Sequence, residues 1–130
     1  MKPIISETVY KKLFELLHKA NSPEGKQLGI ELSNAEIVKD TEFNQDIVTI
    51  NSTVEVIEDT RSKPIRLKIV MPEEADLSQK KISVFAPISI ALLGFRESYS
   101  FNWMLPSGNK KLKILKVFNP DCALEISSES

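Results

Sequence analysis

Few side chains in this sequence stand in arrangements that do chemistry. His18 is the sole histidine; it falls near the end of a helical stretch, where an imidazolium favourably meets the negative end of the helix dipole, and that electrostatic role outweighs catalysis. Cys122 is the sole cysteine, so neither an internal disulfide nor a multi-cysteine zinc site can form. Glu73, Glu74 and Asp76 are a short carboxylate run. A divalent cation needs several converging oxygens, and no second ligand cluster stands at a recognisable spacing, so this run reads as a solvated acidic loop. Lys110, Lys111, Lys113 and Lys116 offer positive charge to a phosphate or an acidic protein face. On an exposed strand, the commoner use of such lysines is to discourage edge-to-edge pairing. Tyr99, Phe101 and Trp103 recur at period two, the spacing of one face of a strand; they belong to a sheet core or, where exposed, to a binding groove. No catalytic residue, metal site or cofactor is assigned from this inventory.

The elements that position these residues fall into two stretches of different period. Up to about residue 40 the period is helical. Ser6 suits an N-cap and Glu7 the first turn. Val9, Leu13, Leu16, Leu17 and Ala20 then form one apolar stripe. Asn21-Ser22-Pro23-Glu24-Gly25 is turn chemistry. A second, weaker helix is expected from about Lys26 to Val38, with Leu28, Leu32 and Ala35 facing the first stripe. Together they make an antiparallel helical hairpin over residues 1–44.

From Ile47 the period is two. Val54 and Val56 alternate with Thr53 and Glu55, and Ile65, Leu67 and Ile69 with Arg66, Lys68 and Val70. Pro64 is permitted at a strand start. Ile82 and Val84 mark a third strand, Tyr99 to Trp103 a fourth, and Leu112 to Phe118 a fifth after the turn Pro106-Ser107-Gly108-Asn109. The alternation slips between Ile114 and Leu115, which predicts a bulge or a strand buried on both sides. Pro87 to Gly94 opens with proline and closes with glycine, the signature of a short helix, here apolar enough to lie across the sheet. The fold class is α+β, a twisted antiparallel sheet with one helix packed across it. Residues 45–120 form this domain and 121–130 a polar tail.

Composition bounds the partners. Across 130 residues, 42% are hydrophobic and 27% charged, enough for one core and too apolar for wholesale disorder. Basic residues number 17 and acidic 18, a formal net charge of −1, so there is no global drive toward DNA, RNA or anionic lipid. Nucleic acid is expected only indirectly, through a partner protein. The opening Met1-Lys2-Pro3-Ile4-Ile5-Ser6 reaches charge too early for a secretory signal, and no apolar run nears a membrane span. The chain reads as cytoplasmic and monomeric, with no membrane contact.

Several strings carry a resemblance. Asp46-Ile47-Val48-Thr49-Ile50-Asn51-Ser52-Thr53-Val54 resembles the opening of the C-terminal domain of the GreA/GreB transcript-cleavage factors, and still more that of their short Rnk-type relatives, named regulators of nucleoside diphosphate kinase. Glu73-Glu74-Ala75-Asp76 with Lys81-Ile82-Ser83-Val84 is similar to the family's acidic loop and next strand. Ala86-Pro87-Ile88 with Ala91-Leu92-Leu93-Gly94 resembles its cross-sheet helix, and Trp103-Met104-Leu105-Pro106-Ser107-Gly108 its late strand and turn. The match runs in order over residues 46–118.

This resemblance implies an FKBP-like domain behind a short coiled-coil hairpin, and docking on core RNA polymerase at the rim of the secondary channel. The docking segment of the family maps onto Phe85, Ala86, Pro87 and Ile88, with the hairpin tip around Pro23 and Glu24 reaching partway inside. Ala86 departs from the serine of Gre factors, and Glu97-Ser98-Tyr99 replaces a Val-Gly-Asp turn. Cleavage stimulation in those factors rests on two acidic residues at a long coiled-coil tip that hold a metal ion. Here one carboxylate, Glu24, lies near Lys26, a poor ligand set, and the first helix spans roughly 22 Å at ~1.5 Å per residue. The expected function is a non-catalytic transcription regulator. The alternatives are an FKBP-like peptidyl-prolyl isomerase or other protein-binding module, and a regulator of nucleoside diphosphate kinase.

Overall fold

The computed structural model describes residues 2–19, 23–59, 62–105 and 108–119. Asn21, Ser22, Pro106, Ser107 and the tail expected at 121–130 lie outside the described residues. Helix α1 (Glu7–Lys19) begins as its sequence requires: the Ser6 hydroxyl accepts the Val9 amide at 3.3 Å, an N-cap bond. Its stripe buries Val9 and Leu13 and half-buries Leu16 and Leu17. Helix α2 (Pro23–Ser33) starts earlier than the turn residues suggested, with proline at the first helical position, where its missing N–H is no loss. Pro23 and Glu24 are therefore the first turn of a helix rather than a loop. Leu28 and Leu32 of α2 are buried in the same core as Val9 and Leu13.

The second helix was expected to run to Val38, but it ends at Ser33. Glu36–Val38 is a strand, β2, paired in parallel with β1 (Ile4–Ser6), which precedes α1. The hairpin is thus closed at its base by two short strands. Asp40 ties the same end: its carboxylate accepts the Thr8 amide at 3.1 Å and the Thr8 hydroxyl.

The main sheet has the order β5-β4-β3-β7-β6, from β3 (Thr53–Glu58), β4 (Ile65–Val70), β5 (Lys81–Ser83), β6 (Ser100–Leu105) and β7 (Gly108–Phe118). It is mixed rather than antiparallel, because β4 and β5 run parallel. Residues 47–50 precede the first of these strands and are buried without alternation, bound into the core instead of the ladder. The expected slip is present: Glu55 pairs with Lys116 and Val56 with Ile114, leaving Leu115 as the extra residue of a bulge. The inner face carries Val54, Val56, Ile69, Leu112, Ile114 and Val117, which share one core with the helices. Helix α3 (Pro87–Leu92) buries Ser89, Ile90 and Leu92 in it.

Ser98, which stands in place of the glycine the resemblance led us to expect, has φ 75°. It holds that left-handed conformation because its amide donates to the Ile114 carbonyl at 2.7 Å, while the neighbouring Glu97 carboxylate accepts the Val117 amide at 2.9 Å. The loop is fastened to the bulge from both sides.

Gly94 joins the two halves of the chain. Its amide donates to Val48 and its carbonyl accepts from Ile4, each at 2.9 Å, at φ 88°. A Cβ there would lie 2.4 Å from the Pro3 Cβ and 2.9 Å from the Ile4 nitrogen. Gly94→Ala is therefore expected to destabilise by roughly 3 kcal/mol, summing overpacking and left-handed strain. Gly29→Ala meets Leu17 at an ordinary 3.7 Å and should stabilise by about 0.5–1 kcal/mol through helix propensity. Urea denaturation of the two variants checks both signs.

Asp40 provides a pH test. Hydrogen bonds from the Thr8 hydroxyl and amide hold its carboxyl below the ordinary 3.8. A carboxyl depressed in the folded state contributes stability above its unfolded pKa and loses it as pH falls through the folded value. Asp40→Asn should cost about 1 kcal/mol at pH 7, the scale of a helix-terminal bond. Its denaturation midpoint should converge on the parent's as pH drops below about 4.

Candidate binding groove

A groove of about 490 Å³ opens between α2, α3 and the β6 edge of the sheet. Helix α2 contributes Pro23, Gln27 and Glu31, spaced four apart and so stacked along one helical face. The segment entering α3 contributes Phe85 and Pro87, and α3 itself Ile90 and Ala91. Phe95 and Trp103 complete the lining. Both aromatics also pack against the main core, so their rings are anchored rather than free. Phe95 stacks on Tyr99 at 4.4 Å between centroids, and Tyr99 on Phe101 at 6.0 Å, which makes the wall beneath the groove stiff.

The local sequence explains the position of each part. Ala86 is the N-cap of α3, in extended conformation and with no side-chain cap bond; Pro87 follows at the first helical position. The Phe85 amide donates to the Ser83 hydroxyl at 3.1 Å and the Ala86 amide to the Ser83 carbonyl at 2.9 Å, so β5 ends in a tight turn that presents Pro87 outward. Pro87 is exposed, Phe85 and Ala86 half-buried. Ile88 instead turns toward the core and does not line the groove.

Two segments singled out separately in the sequence therefore meet: Phe85 and Pro87 on one wall, Pro23 on the other. The sequence reading missed Gln27, Glu31, Ile90, Ala91 and Phe95 as lining. Trp103, for which the sequence allows core or groove, serves both. A usable signal was present in Pro23, Gln27 and Glu31 at helical spacing. Among the described residues, the one titratable group in the lining is Glu31, whose carboxylate accepts from the Gln27 amide at 3.4 Å. An apolar cleft with a single acidic rim group suits an apolar side chain next to a basic one. Among the described residues, nothing in this lining pairs a nucleophile with a base.

The remaining candidates are dispersed. His18 makes an edge contact with Phe14 at 4.6 Å on α1. Asp76 accepts from the Ser78 amide and hydroxyl at 3.0 and 2.6 Å, which lowers its pKa and closes a local turn. Among the described residues no group of three or more His, Cys, Asp or Glu side chains could hold a metal ion, and no helix is long and apolar enough to cross a membrane. The lysines of β7 do not guard an edge, because β7 lies between β3 and β6.

The missing cap at Ala86 is testable. Ala86→Ser supplies a hydroxyl at a position whose backbone is already extended, and should raise stability by about 0.5–1 kcal/mol in thermal or urea denaturation.

Comparison with known proteins gives a consistent result. Residues 43–119 match the family described as transcription elongation factor, GreA/GreB, C-term. Transcription elongation factor GreA of Caldanaerobacter subterraneus is 36% identical over 86 residues, 66% of this chain and 55% of that protein. The regulator of nucleoside diphosphate kinase of Escherichia coli K12 is 33% identical over 107 residues, 80% of this chain and 78% of that one. Among solved structures, the prokaryotic transcription elongation factor GreA/GreB from Nitrosomonas europaea superposes with a TM-score of 0.77 at 32% identity, covering 92% of this chain and 99% of that one. The alignment thus spans little more than half of the GreA relative.

Proposed function

The chain belongs to the GreA/GreB family, and on that premise we propose that it is a non-catalytic transcription regulator that docks on RNA polymerase at the rim of the secondary channel. The observation that carries this reading is the convergence of Phe85, Pro87 and Pro23 on one groove. The family resemblance assigns the first two to docking, and the geometry supplies an apolar cleft of a size to take side chains from a partner. Ala86 and Ile88 act there by shaping the turn and the start of α3. On this reading the sheet and α3 are the FKBP-like module and α1 and α2 its short coiled coil, at residues 45–120 and 1–44.

Absence of cleavage stimulation follows from length and charge. Helix α1 has 13 residues, about 20 Å at ~1.5 Å per residue, half of what a long channel-entering arm requires. In the sequence Glu24 stands two residues before Lys26, and one carboxylate with a neighbouring lysine is a weak Mg²⁺ ligand set. Occupancy of the rim would then compete with Gre factors for the channel entrance. An effect on nucleoside diphosphate kinase would be indirect, through transcription.

The aromatic lining of Phe85, Phe95 and Trp103 favours one second reading, a prolyl isomerase of the FKBP type, since such a cleft takes a proline ring. The two separate experimentally. Purified protein is expected to bind core RNA polymerase of its own organism in the micromolar range or tighter, to be displaced by a Gre factor, and to lose at least ten-fold in affinity on Pro87→Asp. Aspartate is tolerated in a first helical turn, so this variant should stay folded. No shortening of RNA in backtracked complexes is expected. Absence of binding at micromolar protein, together with turnover of a proline-containing peptide, would replace docking with isomerisation.

A further inference from the structure

The side of the sheet away from the helices collects positive charge. Residues directly opposite in antiparallel strands share a face, and the inward set is marked by buried Val54, Val56, Leu112, Ile114 and Val117. The outward set then follows from the register. Thr53 pairs with Lys68 and Phe118, and Glu55 with Arg66 and Lys116. Lys113 stands opposite Ile57 and Ser100, and Lys111 opposite Asn102. Five cations of β4 and β7 thus face outward with Glu55, and Lys81 of β5, opposite Lys68, makes a sixth, while Asp59 lies at the far end, where its amide bonds the Lys111 carbonyl.

Glu55 is engaged by Arg66 at 2.7 Å. Among the described residues Lys68, Lys111, Lys113 and Lys116 enter no ion pair, and the last three are exposed. The chain as a whole carries −1, so this basic face is a product of topology: the balanced total hides a segregated distribution. The face also holds an aromatic. Phe118 is 41% exposed, and the Arg66 guanidinium lies 5.3 Å from its ring centroid.

We propose that this face binds single-stranded nucleic acid directly, with phosphates on Lys68, Lys111, Lys113 and Lys116 and a base stacked at Phe118. Lys111 and Lys113, two residues apart on one strand, are about 6.8 Å apart along it, a repeat suited to a chain that carries one charge per unit. An exposed ring beside a guanidinium is a stacking platform that sequence-tolerant binders of single strands use. An acidic peptide would satisfy the lysines and leave that platform without a role. The surface lies on the opposite side of the sheet from the groove, so the proposal stands apart from polymerase docking.

The test is fluorescence anisotropy of a labelled oligouridylate, with a labelled polyglutamate of equal charge as comparison. Four phosphate contacts at ~0.7 counterions each predict that affinity falls about fifty-fold between 50 and 200 mM salt. The double variant Lys111→Gln, Lys113→Gln should weaken binding at least ten-fold and roughly halve the salt slope, whereas Lys111→Arg, Lys113→Arg should retain it. Phe118→Leu should weaken binding about five-fold or more without changing the slope. Denaturation midpoints of all variants confirm that each is folded. Oligouridylate binding that is absent at 50 mM salt, equal in the glutamine variant, or weaker than polyglutamate binding overturns the proposal. Unchanged affinity in Phe118→Leu overturns the stacking.

Discussion

Gly94 is the point where three stretches of backbone cross, and the arrangement of the rest depends on that crossing. Its amide reaches Val48, its carbonyl receives Ile4, and the space where a side chain would stand is filled by Pro3. Hydrogen bonds in both directions at one residue, with no Cβ allowed, fix the N-terminal strand against the end of α3. The Glu36 amide in turn bonds the Pro3 carbonyl at 2.8 Å, so the returning chain is laid beside the first. From that base α1 and α2 rise with Leu28 and Leu32 in the common core and Gln27 and Glu31 above α3. The groove therefore owes its width to a residue that does not line it. The energetic support is the shared core, in which each buried aliphatic side chain contributes about 1.5–3 kcal/mol.

The parts of this fold legible in the sequence are those with a long enough period. Val9 with Leu13, Val54 with Val56 and Leu67 with Ile69 each announce a buried face, and the phase break at Leu115 announces the bulge. The three-residue strands β1 and β2 have no period to read. Glu36–Val38 continued a weak helical pattern and leaves Ile37 40% exposed, so neither burial nor alternation distinguished it from helix. Its partner lies about 30 residues earlier, Ile4 opposite Glu36, and such pairing is a tertiary fact. The direction of β5 is likewise absent from its composition; it runs parallel to β4 because the turns at Pro72–Glu74 and Leu77–Gln79 carry the chain back until Lys81 stands opposite Lys68.

The candidate site divides the same way. Phe85, Pro87 and Pro23 were found through residue type and resemblance, while their meeting in space had no sequence signal. Gln27 and Glu31 carry no chemical signature of a site in the sequence, yet a polar rim is what an apolar cleft requires. Trp103 shows why core and site are not exclusive for aromatics: one side of the ring packs inward while another remains available. The lysines of β7 show the opposite limit. Their charge was evident, but whether they protect an edge or populate an open face is decided by strand order, and β6 takes the edge.

The bulge links these surfaces. Lys113 and Lys116 are three residues apart, an odd spacing that in an unbroken strand would put them on opposite faces. With Leu115 as an extra residue, Ile114 and Val117 both point inward and Lys113 and Lys116 both point outward. A one-residue slip would otherwise exchange core for solvent along half the strand. The Glu97 carboxylate on the Val117 amide and the Ser98 amide on the Ile114 carbonyl hold the bulge on either side of Leu115. Ser98 accepts a left-handed backbone, φ 75°, to do so. The strain of a non-glycine residue there, of order 1–2 kcal/mol, is offset by two hydrogen bonds that no Val-Gly pair could make in full, since valine has no carboxylate to offer. The conformation of this loop is thus tied to the phase of β7, and through that phase to the separation of an apolar interior from a basic exterior.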